Sequence, residues 1–232
     1  MLAIGLMSGT SLDGVDAALV EIINNEFNLL KFITLPYEEN FKKKILRNLS
    51  DETARLSEIS SLNFELAYKF VEAIDLLLQE TNYLYKDIDF VSSHGQTIWH
   101  DPKGDKYPKD RIFLTNQVPS TLQIGCASYI NYKTGIKVVS NFRLKDICAG
   151  GEGAPLVPFS EYYLYKSKEK NLVFQNIGGI SNLTYIKKNC DIKDIISFDN
   201  GVGNIMIDYF TNKYFGLPFD KDGEIALKGK VI

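Results

Sequence analysis

Two stretches of this chain share one plan, and that plan limits the folds open to it. Residues 2–8 and 14–23 read as strands joined by the small, polar turn SGTSLDG, and a third strand follows at 27–35. Residues 172–186, LVFQNIGGISNLTYI, repeat strand, glycine turn and strand, and IISFD at 195–199 supplies a third. Helical spacing sets in between these blocks. Leu56, Ile59, Leu62, Leu66, Phe70, Ile74 and Leu77 recur every three or four residues, which predicts a helix within 53–81. Strands are expected at 87–95 and 136–142, and helices at 121–133, 155–166 and 203–215, with Gly135 as a stop signal. The order βββαβα followed by βββα predicts a duplicated α/β architecture of two lobes around a cleft. The first lobe would be 1–160 and the second 161–232.

The opening loop supports two readings. Asp13-Gly14 is a strong signal for a tight hairpin turn, which needs no ligand. Alternatively Gly9, Thr10 and Ser11 present amides and hydroxyls to an anion. A Walker A loop is excluded, because no Gly-Lys-Ser/Thr follows and the next element is a strand rather than a helix. NIGGISN at 176–182, with Gly178 and Gly179, stands in the same setting in the second block. Two such loops facing a cleft would clamp a polyphosphate, and that pairing favours phosphate binding.

Further polar clusters sit at strand ends. SHGQTIWH at 93–100 brings His94, Gln96 and Thr97 beside Trp99, a mixture that suits a polyhydroxylated ligand or, equally, a capped turn over core. NFRLKDICAGGEGAPLVP at 141–158 puts Arg143 three residues before Asp146 and ahead of a glycine-rich loop. Asp146 is a candidate general base and Arg143 a candidate orienting group or anion contact, although a surface ion pair has the same spacing. Asp199, in SFDNGVGN, is a candidate Mg2+ ligand or a helix cap. With 26 basic against 29 acidic residues and no basic block, electrostatic binding to nucleic acid or membrane is not expected. Three cysteines without metal-ligand spacing and the lack of a leader or spanning segment predict a cytoplasmic protein.

These motifs, in order, resemble those of the anhydro-N-acetylmuramic acid kinases of the sugar kinase, Hsp70 and actin superfamily. The matching stretches are GLMSGTSLDGVDAAL, SHGQTIWH, LQIG, TGIKVV, FRLKDICAGGEGAPLVP, NIGGISNLT, FDNGVGN and FDKDG. The resemblance implies an actin-like, ribonuclease H-like two-lobe fold. It implies ATP and Mg2+ as cofactors and an anhydro amino sugar as substrate, opened by water and phosphorylated on O6 in cell-wall recycling. It carries ATP binding onto Gly9, Thr10, Ser11, Leu12, Asp13, Gly14, Val15 and Asp16. His94, Gln96 and Thr97 fall on its sugar-side motif, and Asp146 on the base that activates water. A homodimer is implied by the resemblance alone.

The chain departs from the family pattern at Asn141, Glu152, Asn200 and Val202, where the family usually has Asp, Gln, Thr and Pro. Glu152 adds a negative charge near the candidate base, which tends to raise a carboxylate pKa. Family members also run well past the equivalent of Ile232, through an adenosine-side motif and further sugar contacts. An incomplete second lobe is therefore expected, with apolar surface left open. The alternative reading is a truncated or split product, inactive alone, that binds ligand as a remnant or works with a complementing C-terminal chain.

Overall fold

The computed structural model describes residues 1–9, 11–103 and 118–230. Its first unit, Met1–Ala154, is built on a meander of β1 (Leu2–Met7), β2 (Gly14–Ile23) and β3 (Glu26–Pro36). Alternation decides which face is buried. Val15, Ala17 and Leu19 of β2 are fully buried at a spacing of two, beside Ile4 and Leu6 of β1. The long helix α2 (Leu56–Gln79) packs there and buries Leu62, Leu66, Phe70, Ile74 and Leu77. A shorter helix, α1 (Glu39–Arg47), precedes it and contributes Ile45 to the same core.

Two short strands extend the sheet on the β1 side. β4 (Phe90–Ser93) runs parallel to β1, and after His94 and Gly95 the strand β5 (Gln96–Asp101) begins a separate hairpin with β6 (Ser120–Ile124). After α3 (Ala127–Thr134), β7 (Val138–Val139) pairs parallel to β4, giving the order β3-β2-β1-β4-β7. Helix α4 (Phe142–Cys148) follows directly.

Two expectations are corrected here. Residues 121–124 are strand, not helix: Gly125 at φ 119° breaks the chain, and the helix begins only at Ala127. The strand expected at 136–142 is a two-residue ladder, because the chain already coils into α4 at Phe142. Gly135 does end α3, at φ 71°.

The second unit, Pro155–Ile232, opens with α5 (Val157–Tyr165), whose second residue is Pro158. A second antiparallel meander follows: β8 (Leu172–Ile177), β9 (Ile180–Ile186) and β10 (Ile196–Val202), in the order β10-β9-β8. Helix α6 (Asn204–Phe215) ends at Gly216 with φ 68°. Two single 3-10 turns complete the described chain. No described helix is long and apolar enough to cross a membrane.

Candidate active site

The opening loop is not a two-residue hairpin turn. The left-handed residue is Leu12, at φ 53°, while Gly14 already pairs with Pro36 in the sheet. Leucine disfavours that conformation, and burial holds it there, since Leu12 is 1% exposed. Val15 likewise lies in the core, so neither Leu12 nor Val15 offers a side chain to a ligand. Ser11 and Asp13 are exposed and joined by a Ser11 Oγ to Asp13 Oδ1 hydrogen bond of 2.7 Å. Asp16 accepts from Thr34 Oγ1 at 2.6 Å. Gly9 accepts the Leu12 amide, and Thr10 lies outside the described residues.

Below this loop is a buried polar link that the sequence did not reveal. Ser8 Oγ donates to Gln96 Oε1 at 2.5 Å and receives Tyr37 Oη at 2.7 Å. Burial pushes the Tyr37 hydroxyl well above its ordinary pKa, which keeps it a donor. Gln96 is 1% exposed, so it ties the opening loop to the SHGQT turn and does not face solvent. Thr97 Oγ1 accepts from Gln123 at 3.3 Å.

One residue, Gly153, gathers the candidate catalytic side chains. Its amide donates to Asp146 Oδ2 at 2.7 Å, and its carbonyl accepts Arg143 Nη1 at 2.7 Å. Arg143 and Asp146 therefore grip the glycine loop from one helix and form no ion pair with each other. Arg143 Nε also donates to His94 Nε2 at 2.9 Å, which leaves the ring proton on Nδ1, donated to the Gly95 carbonyl at 2.9 Å. Burial, and then the neighbouring guanidinium, hold the His94 pKa below its ordinary value, so the ring is neutral. Both ring nitrogens are engaged, and the His94 ring holds the Arg143 guanidinium in place. Burial also lowers the Arg143 pKa, although an arginine stays charged at neutral pH.

Asp146 is exposed, and among the described residues nothing donates to its Oδ1. That oxygen can take a proton from a bound water. A Cβ on Gly151 would overlap the Asp146 carboxylate, so only glycine lets the loop close over it. The charge of Glu152 is met by Lys103 Nζ at 3.4 Å.

In the second unit the glycine turn is packed against a helix start. The Gly178 and Gly179 carbonyls accept the amides of Asn204, at 2.7 Å, and Gly203, at 2.9 Å. The first amides of α6 are thereby satisfied within the unit. Asp199 is exposed beside a bulge in β10. Among the described residues no group of three metal-ligating side chains forms. A lone exposed carboxylate could hold a Mg2+ only where phosphate and water supply the other ligands.

The whole stretch 1–232 matches the anhydro-N-acetylmuramic acid kinase family. The chain belongs to that family. A relative in Clostridioides difficile (strain 630), named anhydro-N-acetylmuramic acid kinase, is 47% identical over 100% of this chain and 59% of its own length. One of the same name in Bacillus thuringiensis subsp. konkukian (strain 97-27) is 44% identical, again over 100% of this chain and 59% of its own. The chain thus spans about 59% of the length of the curated relatives it matches. Among solved structures, the Aquifex aeolicus member of the Ppx/GppA family is similar at a TM-score of 0.42 and 11% identity, over 97% of this chain and 58% of that one. A likeness of that size adds nothing to the fold described above.

Proposed function

We propose that this chain carries the base and the phosphate loop of an ATP-dependent kinase for 1,6-anhydro-N-acetylmuramic acid. Water adds at C1 and the C1–O6 bond breaks. O6 then takes the γ-phosphoryl group, giving N-acetylmuramic acid 6-phosphate and ADP. The observation that carries this reading is the Asp146 carboxylate, fixed through Oδ2 by the Gly153 amide with Oδ1 left for water. Arg143, oriented by neutral His94 and the Gly153 carbonyl, would contact an anionic part of a substrate. The segment 9–16 would hold the ATP phosphates, with Gly178 and Gly179 as further nucleotide contacts. Asp199 would hold Mg2+, which when bound offsets charge on the transferred phosphoryl group. Thr97 would face the sugar, whereas Gln96 supports the site from below.

The finer fold reading is an actin-like, ribonuclease H-like duplication. The sheet order β3-β2-β1-β4-β7 and the antiparallel meander in each unit support it. Cell-wall recycling in the cytoplasm would be the setting.

A second reading has its own support. Phe198, Ile205, Ile207, Phe210 and Phe215 of the second unit are each 44–59% exposed, an apolar surface that calls for cover. On that reading turnover needs polypeptide equivalent to the rest of the relatives' length, from the same chain or another. Both readings are tested by sugar-dependent ADP release, from this chain alone and with the matching remainder of a relative added. Activity only with the added chain supports the second reading, and no activity in either mixture overturns both. In the active mixture, Asp146→Asn is expected to lower turnover by about 10²–10⁴-fold with nucleotide binding unchanged. Full activity would remove Asp146 from the mechanism.

A further inference from the structure

The SGTSLDG loop leaves β1 after Met7 and enters β2 at Gly14. Among the described residues one backbone hydrogen bond lies within it, from the Leu12 amide to the Gly9 carbonyl at 3.3 Å. A segment tied so sparsely needs outside support to keep its amides in one geometry. We propose that Tyr37 is that support, a positioning residue that fastens both ends of the loop, by its hydroxyl at Ser8 and its amide at Asp13. That the loop so held binds ATP phosphates rests on the kinase reading.

Strand register brings Tyr37 to the loop. Gly14 pairs with Pro36 at the end of β3, so Asp13 and Tyr37 are the next pair beyond the ladder. The Tyr37 amide donates to the Asp13 carbonyl at 3.1 Å. Gly14 permits this approach, because a Cβ there would overlap the Leu35 carbonyl oxygen. The half-buried phenol then reaches back to the other end of the loop, where its hydroxyl lies 2.7 Å from Ser8 Oγ. Phe41 of α1 meets the Tyr37 ring edge-on, with centroids 5.0 Å apart, and fixes its direction.

The direction of each bond is set. Ser8 spends its proton on Gln96 Oε1, so Tyr37 is the donor to Ser8. Gln96 Nε2 then donates to the Thr97 carbonyl at 3.2 Å. Donors thus run one way, from Tyr37 through Ser8 and Gln96 to Thr97. Burial keeps the Tyr37 hydroxyl protonated, and the nearby Asp13 and Asp16 carboxylates act in the same sense. Ser8 is 1% exposed, so water does not replace the phenol when the phenol is lost. A loop closed at its base has fewer conformations to lose on binding an anion, which is what holding its amides in advance achieves.

The test titrates the full chain with Mg2+-ATP and with Mg2+-tripolyphosphate, read by the amide resonances of Gly9 and Ser11. Hydrogen exchange of the Leu12 amide is measured alongside. Tyr37→Phe keeps the ring on Phe41 and removes only the hydroxyl. It is expected to weaken both probes about threefold to tenfold and to speed Leu12 exchange by a similar factor. Ser8→Ala should weaken them at least as much, and the double variant no further, because the two act through one bond. Ile45→Val, at a fully buried position in α1, lowers stability without touching the loop and should leave affinity and exchange unchanged. If Tyr37→Phe matches the unsubstituted chain in both readouts, or Ile45→Val reproduces its changes, the positioning role is overturned. Losses that simply add in the double variant overturn it too. If the unsubstituted chain binds neither probe, the phosphate reading falls and Leu12 exchange decides the rest. Exchange that quickens in Tyr37→Phe and Ser8→Ala but not in Ile45→Val then upholds Tyr37, and any other pattern overturns it.

Discussion

The two units begin with the same antiparallel meander and finish very differently. In the first, β2 lies under α2, and Leu62, Leu66, Phe70 and Ile74 have no exposed surface. In the second, Ile186 is fully buried, but Phe198 of β10 and Phe210 of α6 are 52% and 44% exposed. Topology alone therefore does not make a core. A sheet face is stabilised only when a second layer removes it from water, and a 24-residue helix does this in one unit where, among the described residues, nothing comparable does in the other.

The largest expected effect tests that contrast directly. Phe70→Ala should lower unfolding stability by about 3–5 kcal/mol, because it leaves a cavity among side chains that cannot close in. Phe210→Ala should cost no more than about 1 kcal/mol. Denaturant titration of both variants checks this, and a Phe210 loss as large as that of Phe70 would show that α6 is covered in solution.

The glycine loops offer a smaller comparison. A Cβ on Gly14 would overlap the Leu35 carbonyl oxygen across the sheet, whereas one on Gly178 meets nothing closer than 3.6 Å. Gly14→Ala is expected to cost about 1–3 kcal/mol and Gly178→Ala about 0.5 kcal/mol or less, by the same titration. Equal costs would mean that the second loop is as tightly seated as the first.

The smallest effect separates the units by pH. Both histidines fall in the first unit. The folded pKa of His94 lies below its unfolded value near 6.5, so the unfolded chain binds more protons between the two. Its contribution is complete above about pH 6.5 and declines as pH falls toward the folded pKa. His94→Gln should flatten that part of the stability profile for the first unit. An unchanged slope would place the protonation elsewhere.

The strands of both meanders, the α2 stripe and the Gly135 stop were legible because each is written in local periodicity or turn chemistry. Helices α1 and α4 were not, since neither carries an extended apolar stripe: α1 buries only Ile45, and α4 buries nothing. The strand at 120–124 was hidden because its partner, Gln96–Asp101, is remote in sequence, with Asp101 pairing Ser120 and Gln96 pairing Ile124. The same limit applies at the site. Arg143 and Asp146 stood out beside a glycine-rich loop, but their joint hold on Gly153 did not. Ser8 and Asn63 escaped notice because their partners are remote: Gln96 lies 88 residues from Ser8, and Gly125 lies 62 from Asn63. The Asp13-Gly14 signal misled because the left-handed turn residue is Leu12, held by packing that no propensity records.

The partners of Arg143 have a consequence for the field around the glycine loop. A neutral imidazole and a peptide carbonyl fix the direction of the guanidinium without cancelling its charge. Had Asp146 been the orienting group, the two would have formed a dipole whose influence fades within a few ångströms. Held by neutral acceptors in a half-buried setting, the Arg143 charge is in no ion pair among the described residues, and bulk water screens it less than it would at the surface.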